Sequence, residues 1–174
     1  MKPKNLTVSN ICKAIAKENN MKVEDISSQV SYLLISVHNT NEHNKLNAIY
    51  ESYKLVKPSS TGNSKTNGKL FTMDDRINFV NGFVDINDVL DKSDTIPDRD
   101  TIIEELSFSA IEVLREDYKE QAKRNGVKKI DNIRSKEFRN LCAKYINGMR
   151  KGYEYVFKIK GDEIHGRKKS KGIV

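Results

Sequence analysis

The chain has no Trp, only 2 Cys and 3 Pro among 174 residues, and 7% aromatic residues. Cys12 and Cys142 stand at apolar periodic positions. That excludes a disulfide scaffold and predicts buried free thiols in a reducing compartment, expected to be the cytoplasm. No apolar run approaches the roughly 20 residues of a membrane span. The opening MKPKNLTVSNICKAIAKENN has basic residues but lacks the continuous apolar stretch of a secretory signal. A phosphate-cradling GxxxxGK[ST] loop and a GxSxG elbow are both missing. His38, His43 and His165 are scattered, with no Cys at metal-ligand spacing. No internal repeat is present. These absences predict a non-enzyme that needs no cofactor or metal and meets no membrane.

What is present is charge. Charged residues make up 32% against 37% hydrophobic, enough for a modest core. The net charge of +7 is unevenly distributed. Residues 1–73 carry 10 basic and 5 acidic side chains, residues 74–117 carry 4 and 13, and residues 118–174 carry 17 and 6. Two basic regions around an acidic middle suit a polyanionic partner such as nucleic acid. They equally suit pairing of the acidic 74–117 segment with a basic one, within the fold or across an oligomer. The 23 Lys, 8 Arg and 17 Asn point to an AT-rich source genome.

Helical periodicity dominates. Val8, Ile11, Cys12 and Ile15 mark a first helix that stops at Asn19-Asn20. Ile26, Val30, Leu33 and Val37 mark a second, and Leu46, Ile49, Tyr50 and Tyr53 a third that ends before Pro58. Thr72 and Asp75 form a capping box for a fourth helix, and Thr101 and Glu104 one for a long fifth that closes at Gly126. A sixth carries Phe138, Leu141, Cys142, Tyr145 and Met149 and stops near Gly152. The period then changes. Tyr153, Tyr155, Phe157 and Ile159 alternate with more polar neighbours, predicting a strand that turns at Lys160-Gly161-Asp162 into a short EIHG partner. The basic tail GRKKSKGIV follows.

Between the third and fourth helices lies YKLVKPSSTGNSKTNGKLFTM, two short apolar-basic runs around a tip that contains the turn dipeptide Asn67-Gly68. Three helices, a strand, a basic tip and a second strand resemble the winged helix-turn-helix family over residues 7–73. The resemblance implies a third helix in the major groove and a wing on backbone phosphate. On it, Asn44 and Asn47 would offer bidentate hydrogen bonds to a base. Lys54, Lys57, Lys65 and Lys69 would present positive charge. The competing reading is a helical subdomain followed by a flexible linker. A third reading takes AIAKENNMKVEDISSQV as the helix-turn-helix, with Asn20 at positive φ in the turn. The same stretch resembles the first two helices of HU-like proteins, although no saddle strands follow.

Two enzyme-like patterns fail on their spacing. Pro97-Asp98 and Asp117-Tyr118-Lys119 resemble the PD-(D/E)xK nucleases, but the second half falls in a helical stretch rather than a core strand. DINDVLDKSDTIPDRD lacks the glycine and terminal glutamate of a calcium loop. The expectation is therefore a mainly α (α+β) chain, a helical bundle with a winged-helix-like unit over 1–73. A helical unit with an acidic first half would span 74–152, with a short hairpin and basic tail over 153–174. The expected function is non-catalytic binding of nucleic acid, DNA first, in the cytoplasm of a bacterium or its phage or plasmid. Arg167, Lys168, Lys169 and Lys171 of the tail would add phosphate contacts. The alternative is an interaction or assembly protein, such as a virion connector component or an inhibitor of a host machine, acting through the acidic segment as a homo-oligomer or with a protein partner.

Overall fold

Local capping decides where most helices begin. The computed structural model describes residues 2–66, 68–127 and 135–170, the last of these (160–170) as helical backbone. Helix α1 (Val8–Glu18) starts at Thr7, whose hydroxyl accepts the Asn10 N–H at 3.1 Å. It ends at Asn19-Asn20, with Asn20 at φ 53°. Helices α2 (Val23–Ser36) and α3 (Glu42–Leu55) follow, and Asn41 caps α3. Helix α4 (Met73–Asp91) opens on the expected capping box, with Thr72 and Asp75 each accepting the other's backbone N–H. The cap of α5 (Arg99–Arg124) lies three residues earlier than expected: Asp98 accepts the Thr101 N–H at 3.2 Å. A carboxylate outside the first turn caps better than Thr101 would from inside it. Gly126, at φ 77°, closes α5, and the Val127 N–H returns to the Ala122 carbonyl. Helix α6 runs Lys136–Ser170.

Helix α4 is the axis of the molecule and is buried on almost every side. One core cluster packs α1, α2 and α3 against Ile77, Val80, Phe83 and Val84 of α4. A second packs Ile86 and Leu90 of α4 against α5 and α6. The α4–α6 seam is close enough to require glycine. A Cβ on Gly82 would stand 2.0 Å from the Tyr145 carbonyl oxygen, and one on Gly148 would stand 1.9 Å from that of Phe79. Contacts of Asp75 with Asn140 and of Asn87 with Gly152 show that α4 and α6 run parallel. Helix α5 runs antiparallel to α6, since Tyr153 meets Pro97 and Tyr118 meets Phe138.

Two β expectations are corrected. Residues 153–159 are not a strand, and the C-terminal hairpin does not form. Helix α6 continues through Gly152 and beyond. Its buried stripe is Leu141, Tyr145, Met149 and Val156, a helical spacing. The apparent alternation arose because α6 lies between two partners. Tyr153 turns toward α5 and donates to the Pro97 carbonyl, whereas Tyr155 packs on Phe83. Phe157 is 59% exposed. Gly152 serves packing against Ile86 rather than a helix stop.

The hairpin after α3 is also shifted. Lys54 and Leu55 belong to the last turn of α3, so residues 54–57 do not pair with 69–73. The strands are β1 (Ser64–Thr66) and β2 (Lys69–Phe71), paired antiparallel as Ser64 with Phe71, Lys65 with Leu70 and Thr66 with Lys69. Tyr50 and Tyr53 continue the buried stripe of α3 to its last turn, and that packing overrides the strand preference of YKLVK. The expected turn at Asn67-Gly68 retains Gly68, at φ 79°; Asn67 lies outside the described residues.

Candidate functional site

A groove of about 540 Å³ lies between the hairpin and α6. Val56, Phe71 and Phe79 give it an apolar floor, and Lys69, Lys144, Arg150 and Lys151 bring cations to it. Glu154 is the one carboxylate among its lining residues and pairs with Lys151 at 3.4 Å. Residues 144, 147, 151 and 154 line it from α6 because a spacing of three and four puts them on one helical face. Lys144 Nζ stands 5.5 Å from the centroid of the Phe71 ring.

A buried cation underlies this groove. Arg76 is 1% exposed, with its guanidinium carbon 3.8 Å from the Tyr53 centroid and 5.3 Å from that of Phe71. It donates to Ser52 Oγ at 3.1 Å and to the Val56 carbonyl at 3.0 Å. It thereby satisfies a carbonyl at the C-terminal end of α3 and ties β2 to that helix. Burial lowers its pKa to about 10, so it remains charged at neutral pH. Among the described residues no carboxylate pairs with it, and its Nε has no hydrogen-bond partner. A charge in low dielectric without a counter-ion adds to the positive field around it.

The residues expected from the sequence separate into three groups. Lys54, Lys57, Lys65 and Lys69 are all exposed. Lys69 lines the groove, and Lys57 follows Val56, which also lines it. Lys65 stands opposite Leu70 outside the groove lining, and Lys54 pairs with Glu51 at 3.8 Å. Asn44 and Asn47 are turned inward, 8% and 5% exposed. The Asn44 amide donates to Asp88 at 2.5 Å, and Asn47 Oδ1 accepts from Lys2 and from the Tyr155 hydroxyl. Neither presents a free edge to a base. Arg167, Lys168 and Lys169 fall on the final turns of α6, where the backbone alone is described, and Lys171 lies outside the described residues.

A second polar cluster was not foreseen. His38, between α2 and α3, donates from Nδ1 to Asp117 of α5 and from Nε2 to Asp85 of α4, each at 2.8 Å. Tyr145 of α6 donates its hydroxyl to the same Asp85 oxygen at 2.6 Å. Asn39 bridges Asp85 and Asp88. Burial works to lower the His38 pKa, but hydrogen bonds and charge from the two carboxylates outweigh it and raise the value to about 9. A histidine charged at neutral pH with both ring nitrogens donating has no lone pair with which to accept a proton or bind a metal. The cluster joins four elements. Its partners lie 47 and 79 residues from His38, so that in sequence His38 stands only as one of three scattered histidines.

Among the described residues no group of three or more His, Cys, Asp or Glu is arranged to hold a metal ion, and no helix is long and apolar enough to cross a membrane. Cys12 and Cys142 are both free. No family model, curated protein or solved structure matches this chain.

Proposed function

We propose that this protein is a non-catalytic nucleic-acid-binding protein that seats the phosphate backbone of a duplex, DNA first, in the groove between the hairpin and α6. The observation that carries this reading is the convergence of Lys69 with Lys144, Arg150 and Lys151, brought together from positions more than 70 residues apart beside one paired carboxylate. The unneutralised Arg76 beneath them strengthens the same field. The lysines neutralise phosphates and release condensed counter-ions, a contribution that depends on charge spacing rather than base identity. With Asn44 and Asn47 committed inside the fold, α3 supplies no base-reading edge from them. The protein therefore binds with little sequence preference. The basic end of α6 extends the contact along the backbone.

Fluorescence anisotropy with a labelled duplex, measured at about 50 and 200 mM salt, tests this reading. Affinity is expected to fall steeply across that range, by roughly 10³-fold if six or more phosphates are contacted. The triple variant Lys69→Glu/Lys144→Glu/Lys151→Glu should lower the slope of log affinity against log salt by about 3. Absence of binding at the lower salt, or an unchanged slope in the variant, would sink the proposal.

A further inference from the structure

The opposite side of Arg150 borders a second groove, between α5 and α6, of about 570 Å³. Ile103, Ile111 and Ile146 line it, and Phe108 rises from its α5 lip with 82% of its surface exposed. Positions 100, 103, 104, 107, 108 and 111 form one helical stripe, so this is a continuous face of α5. A phenylalanine so placed, above a cleft lined by isoleucine, has the character of an interface centre rather than of ordinary surface. The lips carry opposite charge. Asp100 and Glu104 stand on the α5 side and Arg150 on the α6 side, with no ion pair across the groove among the described residues.

We infer that this groove is the interface of a homodimer, in which Phe108 of each subunit packs on Ile146 of the other around a two-fold axis lying along the groove. That axis exchanges the lips of the groove and preserves position along it. The antiparallel pairing of α5 and α6 sets Asp100 and Glu104 level with Arg150, as the Tyr153–Pro97 contact just beyond them shows. Each acidic lip then faces the partner's Arg150, and Phe108 faces the partner's Ile146. An axis across the groove at the level of Glu104 and Arg150 would instead oppose acid to acid and arginine to arginine, which like-charge repulsion disfavours. The patch is thus complementary to itself in one orientation, as an isologous contact must be. This inference stands on the groove between α5 and α6 and does not rest on the nucleic-acid reading.

Sedimentation velocity of the full chain over a range of roughly 1 to 200 μM tests it, with circular dichroism to verify folding. The wild type should shift from monomer to dimer with concentration, and Phe108→Glu should remain monomeric with unchanged helicity. Glu104→Arg alone and Arg150→Glu alone should each weaken association by about tenfold, and the double exchange should restore it. A wild type that stays monomeric throughout overturns the inference. So does a dimer indifferent to Phe108→Glu, or a double exchange that fails to rescue, since that would remove the proposed axis.

Discussion

The hairpin groove and the His38 cluster both gather charged groups from distant parts of the chain, yet they treat charge in opposite ways. In the groove Lys69 and Arg150 are exposed and Lys144 is half-buried, and among the described residues Lys151 alone of the lining cations pairs with a carboxylate. Around His38 each donor has an acceptor: the two ring nitrogens meet two carboxylates, Tyr145 meets Asp85, and Asn39 meets Asp85 and Asp88. Binding capacity is kept where charge has no partner within the fold. A paired, half-buried charge holds elements together and has little left for a ligand, whereas a solvated lysine keeps its charge available to a partner. Pairing distinguishes the two uses, and residue type does not.

The seam that supports both regions offers the largest test. Helix α6 contributes Tyr145 to the cluster and Lys144 and Lys151 to the groove, and Gly148 lies between them against Phe79. Gly148→Ala would force α4 and α6 apart, because the new methyl meets a backbone oxygen that no rotamer change relieves. It should cost about 3 kcal/mol or more by urea denaturation and weaken duplex binding at the same time. A stability change below about 0.5 kcal/mol would show that the seam does not unite the two regions.

The His38 cluster should give the next largest effect, and a particular pH dependence. The folded pKa of about 9 lies above the ordinary value of 6.5. The cluster's stabilisation is therefore complete below about pH 6.5 and is lost as pH rises through about 9, with a total of order 3 kcal/mol. Unfolding free energies of the wild type and His38→Gln, measured from pH 6 to pH 10, should converge at the alkaline end. A difference that persists undiminished at pH 10 would mean that shape, rather than charge, holds the cluster. Asp85→Asn should destabilise at pH 7 by about 2 to 4 kcal/mol, since it removes the carboxylate shared by His38 and Tyr145.

The smallest expected effect sharpens the contrast from the other side. Lys69→Gln and Lys144→Gln should change stability by less than about 0.5 kcal/mol while each reduces duplex affinity, because among the described residues neither lysine has an ion pair to lose. Thermal unfolding beside anisotropy would separate the two quantities. Loss of both together would place these lysines with His38 as structural groups.

Much of the helical framework was legible in the sequence. Thr72 and Asp75 announced α4, the 3- and 4-residue spacing of Ile26, Val30 and Leu33 announced α2, and Gly126 announced the end of α5. Less of the candidate site was legible. Lys69 was found by its position beside a turn, but Lys144, Arg150 and Lys151 gain their meaning from the hairpin opposite. Asn44 and Asn47 read as free amides because Asp88 and Tyr155, which engage them, lie 44 and 108 residues away. Residues 153–159 read as a strand because two half-buried faces of one helix, one toward α5 and one toward Phe83, produced an alternating pattern.

By itself the sequence determined what neighbours within about four residues decide: caps, helical stripes, the glycine turns and the division of charge along the chain. These follow from backbone sterics and hydrogen bonds closed within one turn. Tertiary structure alone decided which charges stay in water. That choice depends on which helices meet, and here it depends on Gly82 and Gly148 letting α4 and α6 approach until Tyr145 reaches Asp85 on one side and Lys144 stands over Phe71 on the other. Desolvation is a property of the assembled surface, and no stretch of sequence carries it alone.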